Sequence, residues 1–514
     1  MANPQLFASA RQAAVLPTAI NAQGVRAYAL APKHALAQLA VTGCFNSTFY
    51  AAGHDQLSEM LALCFEVGGE YVAKTALFAR QRGYMKDAPA VLCAWLASFD
   101  GESLEKVFDR VIDNGKMLRN FVQILRSGAV ARNSLGSRPK RLVQRWLEQA
   151  SDERLIAAMV GQSPSLADVI KMVHPKAATP EREALFGYII GRNVPIERLP
   201  QAIQGFERFK KDPKAPLPEV PFQMLTSLEL TTAHWTQIAK TMSWTSLRMN
   251  LNTLARHGVF KDESMLRSVA KRLADKNLVR KARAFPYQLL AANTAAGVMS
   301  AKLSGALEKA LEHATANVPK VRGSVAVAVD VSGSMQSPVT GHRQGGTTAV
   351  RCVDVAGLVA ACVLANNPGA MVLPFNDSVQ SWQWKNKGVW STAKALADLL
   401  GGGTNITAPL LELERRDLAP DLVIIVSDNQ SWLDASQSGS TRALRQWNVL
   451  KERNPQAKLV CIDLQPYTNS QLPEQKDVLN IGGFSDQVFE MIAAFAEGKM
   501  QKGHWVQRIE EMQL

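Results

Sequence analysis

The 514-residue chain contains no CxxC pair; its six cysteines, Cys44, Cys64, Cys93, Cys352, Cys362 and Cys461, are scattered along it. Most lie in apolar runs such as Val91-Leu92-Cys93-Ala94-Trp95. Neither a disulfide framework nor a zinc site is therefore expected, but free buried thiols in a reducing compartment. Long apolar runs are also missing: nothing approaches the ~18 residues of a membrane span. Met1 to Ala10 shows no basic segment followed by an apolar block, so a cytoplasmic protein without a secretory signal or membrane partner is expected. The glycine-rich Gly401-Gly402-Gly403-Thr404 is not followed by Gly-Lys-Ser/Thr, which removes a phosphate loop. No Gly-x-Ser-x-Gly elbow occurs either, which removes one common hydrolase design.

What is present is basic charge, unevenly placed. The chain holds 58 Lys and Arg against 45 Asp and Glu. From residue 321 onward the balance is 17 against 19, so residues 1–320 carry 41 against 26 and all of the excess. A field of that sign favours a polyanion such as nucleic acid, or an anionic membrane surface. A merely solvated basic surface is the plain alternative. The length exceeds the ~250–300 residues at which single cores stop growing, so two domains or more are expected.

Two textures divide the chain. From Thr18 to about Ala316, apolar residues recur at three- and four-residue spacing, as in Gln56–Phe65, Leu104–Ile112 and Leu142–Leu147, with Gly and Pro breakers between. Short amphipathic helices without a strand-like block predict stacked helix pairs, with an irregular bundle as the alternative. Four prolines within Asp212–Pro221 make that stretch a loop. Beyond Lys320, apolar β-branched runs alternate with helical segments: Ser324–Asp330, Ala370–Pro374, Leu422–Ser427 and Leu459–Leu464, with helices at Asp354–Leu364, Ala393–Leu400 and Thr441–Arg453. Such strands predict a parallel sheet covered on both faces, whose ligands sit at the strands' carboxyl ends.

At those ends lie polar residues. Asp330-Val331-Ser332-Gly333-Ser334 aims one carboxylate and two hydroxyls at a common point; Gly401–Gly403 presents Thr404, and Val426-Ser427-Asp428-Asn429 offers a second carboxylate. Hard oxygens with few carboxylates suit Mg²⁺ that keeps several waters. This set resembles the metal-ion-dependent adhesion site of von Willebrand factor A domains, over about Val321–Leu514. The resemblance implies direct ligation by Ser332, Ser334 and Thr404, contact through water for Asp330 and Asp428, and a sixth position open to an acidic group. No base stands by to activate a bound water, so no catalytic residue is assigned.

The sharpest basic motif is Arg132-Asn133-Ser134-Leu135-Gly136-Ser137-Arg138-Pro139-Lys140-Arg141-Leu142-Val143-Gln144-Arg145-Trp146. Lys140, Arg141 and Arg145 fall in the first two turns of a helix, where cations oppose the helix dipole at a cost of roughly 0.3–1 kcal/mol each. Meeting phosphates is a reason to bear that cost; a solvated helix start is the other. Together with Thr42–Tyr50, Val173-His174-Pro175-Lys176, Ser246–Leu251 and Lys281–Tyr287, this motif resembles the TROVE module of the Ro autoantigen family, most of all its bacterial members.

That resemblance implies a ring of HEAT-like helical repeats over residues 17–320 followed by the A-type α/β domain over 321–514. It implies a non-catalytic RNA-binding protein of non-coding RNA quality control. Y-like small RNA would bind the outer basic surface, and single-stranded 3′ ends of misfolded RNA the ring. A monomer is expected, and an exoribonuclease is a candidate partner. Arg132, Arg138, Lys140, Arg141 and Arg145 would then touch RNA backbone, His174 would serve Y RNA, and Arg248 and Asn250 would line the cavity. The family's basic residues upstream of His174 are replaced here by Ala157-Ala158-Met159-Val160-Gly161. On the residues alone, His174 and Arg248 read as ordinary surface groups. The alternative function is an adaptor whose metal site binds an acidic protein.

Overall fold

Periodic apolar spacing before residue 279 and continuous apolar runs after 324 become two kinds of packing in the computed structural model. It describes residues 15–43, 45–282, 284, 286–296, 300–315, 318, 320–342, 350–383, 388–399, 401–428, 430, 440–465, 467–483, 487–499 and 503–514. Cys44 and Asn429, and Arg283 and Phe285 of the Lys281–Tyr287 stretch, lie outside these residues. The chain divides into two compact units: Met1–Glu59 with Val279–Ala295 and Leu307–Arg508, and Met60–Leu278 with Ala296–Ala306 and Ile509–Leu514. No helix among the described residues is long and apolar enough to cross a membrane.

The second unit is helical. Its helices include Gly69–Gln81, Asp87–Phe99, Gly101–Val111, Gly115–Arg126, Ser137–Gln149, Asp152–Ala158 and Leu166–Val173. Each packs on helices one to three places along the chain: Gly101–Val111 lies against both Gly69–Gln81 and Ser137–Gln149, and Leu166–Val173 against both Gly115–Arg126 and Ser137–Gln149. This is the contact pattern of stacked helix pairs, each burying a face it cannot cover alone. Asp100, Asn114, Ser151, Ser165 and Thr179 start their helices by accepting backbone N–H bonds; each such cap contributes about 1 kcal/mol. Between repeats, Phe108 meets Phe121 edge-on at 5.3 Å, and buried Trp146 donates from Nε1 to Ile112 O at 2.8 Å. The proline-rich stretch from Asp212 to Pro221 contains no helix.

The first unit is built on five parallel strands in the order β4-β3-β5-β6-β8: β3 Val325–Asp330, β4 Met371–Phe375, β5 Leu422–Ser427, β6 Lys458–Asp463 and β8 Val478–Gly482. Ala326, Ala328, Val423 and Ile425 face Leu410, Leu413, Leu444 and Trp447 of the helices Ala408–Arg415 and Arg442–Arg453. The helix Cys352–Asn366 packs on β3 and β5, and Gly357 lets Val389–Ala397 come close, since a Cβ there would sit 2.6 Å from Ala393 O. Cys64, Cys93, Cys352, Cys362 and Cys461 are free and buried, as their apolar settings suggested. Because β4 lies on one side of β3 and β5 on the other, the chain reverses its direction of winding at β3, which opens a crevice at that strand's carboxyl end.

The expectation of helix without strand from Thr18 onward needs correction. Ala19–Ile20 (β1) and Arg26–Ala29 (β2) form an antiparallel pair, and β2 pairs with Asn469–Ser470 (β7). Asn21 closes the β1–β2 turn, its Oδ1 accepting from Gln23 N and Val25 N. Two-residue strands carry too little alternation to be read locally; a partner more than 400 residues away stabilises them. The strand β8 carries no continuous apolar signal in the sequence, because Asn480 interrupts its apolar run. Buried Asn480 is satisfied by Ser470 Oγ at 2.8 Å and Leu472 O at 3.1 Å.

The helix Pro32–Thr42 buries His34 edge-on against Trp505, ring centroids 5.4 Å apart. Burial pushes His34 down to about 4, against a smaller opposing effect of a hydrogen bond with the Asn480 backbone. A depressed histidine binds fewer protons folded than unfolded, so its contribution is present above pH ~6.5 and lost as pH falls toward 4. Urea unfolding should show about 2 kcal/mol less stability at pH 5 than at pH 7 from this group. In His34→Leu the difference between the two pH values should shrink by that amount; an unchanged difference would remove His34 as its source.

Candidate metal centre and nucleic-acid interface

The crevice at the end of β3 gathers the polar residues of four loops. Asp330, fully buried, accepts from Ser332 N at 2.9 Å through Oδ1 and from Ser427 Oγ at 2.6 Å through Oδ2. Ser332 Oγ and Ser334 Oγ are 3.3 Å apart in the turn that follows. Gly333 N donates to Gly402 O at 3.1 Å, which brings the Gly401–Gly403 loop and buried Thr404 beside that turn. The loop is held from behind: Asn376 Nδ2 donates to Gly401 O at 2.7 Å, and Asp377 Oδ2 accepts from Gly403 N at 2.9 Å. Gly402 has φ +81°, and a Cβ there would meet both of those side chains. Asp428, one residue past β5, is 1% exposed; Oδ1 accepts from Gln430 N at 3.4 Å, while Oδ2 is buried without a hydrogen-bond donor among the described residues.

Burial pushes both carboxyls up, and Asp428 is raised further by the charge of Asp330. Two buried acids, one oxygen of them without a donor among the described residues, and two adjacent hydroxyls make a donor set that a hard divalent cation would neutralise. Among the described residues no group of three or more His, Cys, Asp or Glu could hold a metal, so a site here leans on hydroxyls. All five residues expected in it, Asp330, Ser332, Ser334, Thr404 and Asp428, lie around this one crevice.

Two further groups at the crevice escaped the sequence reading. Ser427 ends its strand, and its hydroxyl also holds Asp330 Oδ2. Tyr50 belongs to Thr42–Tyr50, a stretch assigned by resemblance to the helical module, but it packs in the unit of the sheet. Burial, then the charge of Asp428, pushes its phenol up, offset by hydrogen bonding to Ser334 and Gln23. Asn46 anchors this segment by donating to Thr340 O at 2.8 Å. No local pattern marks Tyr50; only packing across nearly 300 residues does.

On the helical unit, Gly136 begins the basic helix Ser137–Gln149 at φ +70°, a backbone setting that favours glycine. No acidic residue lies in its first turn. The five cations read there as RNA contacts have different fates. Arg132 is half-buried and donates to Ala97 O at 2.8 Å and Leu135 O at 3.2 Å, so it holds its own loop. Arg138 pairs with Glu105 at 3.1 Å and Arg145 with Asp109 at 2.7 Å. Lys140 and Arg141 have no acidic partner among the described residues. His174 ends the helix Leu166–Val173 in a left-handed conformation, exposed, and Gln144 of the basic helix donates to Val173 O at 2.6 Å. The basic helix and His174 are thus neighbours. At the Ala157–Gly161 departure, Arg119 is buried and donates to Ala158 O at 2.5 Å. Arg248 is half-buried on the helix Trp244–Met249, and Asn250 caps it, donating to Ser246 O at 2.8 Å. These two lie in a separate stretch of helices from the Arg132–Arg145 motif.

A family model of the TROVE domain matches residues 147–344, and one of the Ro60 vWA domain matches residues 324–496. The chain is 23% identical to the RNA-binding protein RO60 of Deinococcus radiodurans, over 93% of this chain and 95% of that protein. It is 25% identical to the RNA-binding protein RO60 of Caenorhabditis elegans, over 50% of this chain and 41% of that protein. The crystal structure of the Deinococcus radiodurans RO (RSR) protein shares its fold, with TM-score 0.63 and 20% identity over 91% of this chain and all of that one. The chain thus matches, in chain order, a TROVE domain model and a Ro60-type von Willebrand factor A domain model.

Proposed function

We propose that this chain is a non-catalytic RNA-binding protein of non-coding RNA quality control. The observation that carries the reading is the pair Lys140 and Arg141: two cations without an acidic partner among the described residues, at a helix start where the helix dipole disfavours them, on a helix that contacts the end of the one capped by exposed His174. Phosphates are the group that offsets this arrangement. The names of the two RO60 relatives support the same ligand class. In this reading a structured, Y-like small RNA lies on the basic helix, and unpaired 3′ ends of misfolded RNA engage the stretch around Arg248 and Asn250. The protein scaffolds a ribonucleoprotein, and an exoribonuclease is the kind of partner such a scaffold would serve.

The A-type domain adds a metal site in the same reading. Ser332, Ser334 and Thr404 would hold Mg²⁺ directly, with Asp330 and Asp428 acting through water. Bound there, the ion would supply an open position for an acidic group of a partner. Asp330 is committed to Ser332 N and Ser427 Oγ, which keeps its carboxylate oriented toward the crevice.

An RNA with an unpaired 3′ tail is expected to bind by roughly tenfold more tightly than the same RNA with its tail paired, because unpaired bases expose stacking faces. Filter binding at fixed salt measures both. Equal affinities would confine binding to duplex or loop contacts, and no binding to either RNA would overturn the reading.

A further inference from the structure

The geometry points to a nucleotide pocket on the helical unit: we propose that the cleft lined by Trp235, His257, Met249, Arg256, Asn250 and Gln223 holds one unpaired nucleotide, its base against the Trp235–His257 pair and its phosphate on Arg256. The ligand class rests on the RNA reading above; the pocket itself rests on independent features. Its volume is about 500 Å³, within the ~300–1,000 Å³ of small-molecule sites and ample for a single nucleotide.

Its walls suit a flat heteroaromatic ring. Trp235 and His257 are stacked in parallel, 4.2 Å between centroids and 12° between planes. Trp235 is buried, whereas His257 is exposed, so the pair forms a fixed ledge with one ring toward solvent. Met249 presents a 69% exposed side chain at the rim, apolar surface that a ring entering the cleft would cover. Polarizable sulfur against an aromatic ring is a favourable contact.

The polar groups suit a base edge and a phosphate. Asn250 uses one amide hydrogen on Ser246 O, which leaves its carbonyl oxygen to the cleft. The Gln223 side chain makes no hydrogen bond among the described residues. Arg256 has no acidic partner among them either. Thr231 to His257 contains no Asp or Glu at all, and residues 201–282 hold 14 Lys and Arg against 7 Asp and Glu. A fatty or neutral apolar ligand would not use that field; a nucleotide would.

The test titrates the full chain with each nucleoside 5′-monophosphate, AMP, GMP, CMP and UMP, following tryptophan fluorescence, with ribose 5-phosphate as the baseless control. At least one nucleotide is expected to bind saturably in the millimolar range, and ribose 5-phosphate to leave the signal unchanged. Arg256→Ala and His257→Ala, both at exposed positions, should each weaken binding by about fivefold or more. Absence of saturable binding, equal binding of ribose 5-phosphate, or indifference to both variants would overturn the pocket. Filter binding of the 3′-tailed RNA in parallel separates the two readings. RNA bound without any mononucleotide binding removes the pocket and leaves the RNA reading; mononucleotide bound without RNA binding keeps the pocket and removes the RNA reading.

Discussion

Replacing Lys140 and Arg141 together by alanine is expected to flatten the salt dependence of RNA binding by about 1.4–1.8 in the slope of log K against log salt. Each cation that neutralises a phosphate releases roughly 0.7–0.9 counterions, and these two have no acidic partner among the described residues. Arg138→Ala and Arg145→Ala should each do less. Glu105 and Asp109 already hold those guanidinium groups at 3.1 and 2.7 Å, so RNA would have to displace an ion pair first. Arg132→Ala should act differently again, by loosening the loop whose carbonyls it binds, and so lower stability more than slope. Filter binding over a salt series, with thermal unfolding of each variant, distinguishes these outcomes. A double variant with unchanged slope would remove this helix from the RNA interface.

Mg²⁺ at about a hundred times its dissociation constant should stabilise the protein by roughly 2.7 kcal/mol, and Ser334→Ala should abolish most of that gain by removing a direct ligand. RNA binding should survive in this variant, because Ser334 and Arg141 belong to different compact units. Asp428→Asn carries a two-signed expectation. It removes one of two buried like charges and should raise the stability of the metal-free protein while weakening the ion's effect. The pH dependence follows from the same direction. Asp330 and Asp428 are raised on folding, so in the metal-free protein stability is lost as pH rises from the unfolded value near 4 through their folded values. A bound cation offsets that loss, so the Mg²⁺-dependent rise in Tm should grow from pH 5 to pH 8. Calorimetric titration with Mg²⁺ and thermal melts at the two pH values measure both. A Ser334→Ala protein that binds Mg²⁺ as tightly as the parent would show that the ligand assignment is wrong.

Much of the crevice was legible because its parts are local. An apolar run such as Leu422–Ser427 declares a fully buried strand by itself, and the polar residues that follow are then at a strand end. The helix start at Gly136 was legible for the same kind of reason: a glycine breaker, then apolar residues at Leu142, Val143, Trp146 and Leu147 on one face. Which cations on that helix are spent was not legible. Glu105 and Asp109 come from a helix some thirty residues earlier, and only the stacking of Gly101–Val111 on Ser137–Gln149 brings them within reach. The same limit hid the first strands, since β2 is stabilised by pairing with Asn469–Ser470, and hid Asn480, whose polarity argues against a buried strand until Ser470 and Leu472 satisfy it. Sequence by itself thus determined the helical and sheet-bearing parts, the strand-end oxygens and the basic turn, because each depends on residues within a few positions of one another. Tertiary structure alone decided the placement of Tyr50 at the crevice, the neutralisation of Arg138 and Arg145, and the stacked ledge of Trp235 and His257, because hydrogen bonds, ion pairs and ring contacts are made by whichever group the fold brings within a few ångströms.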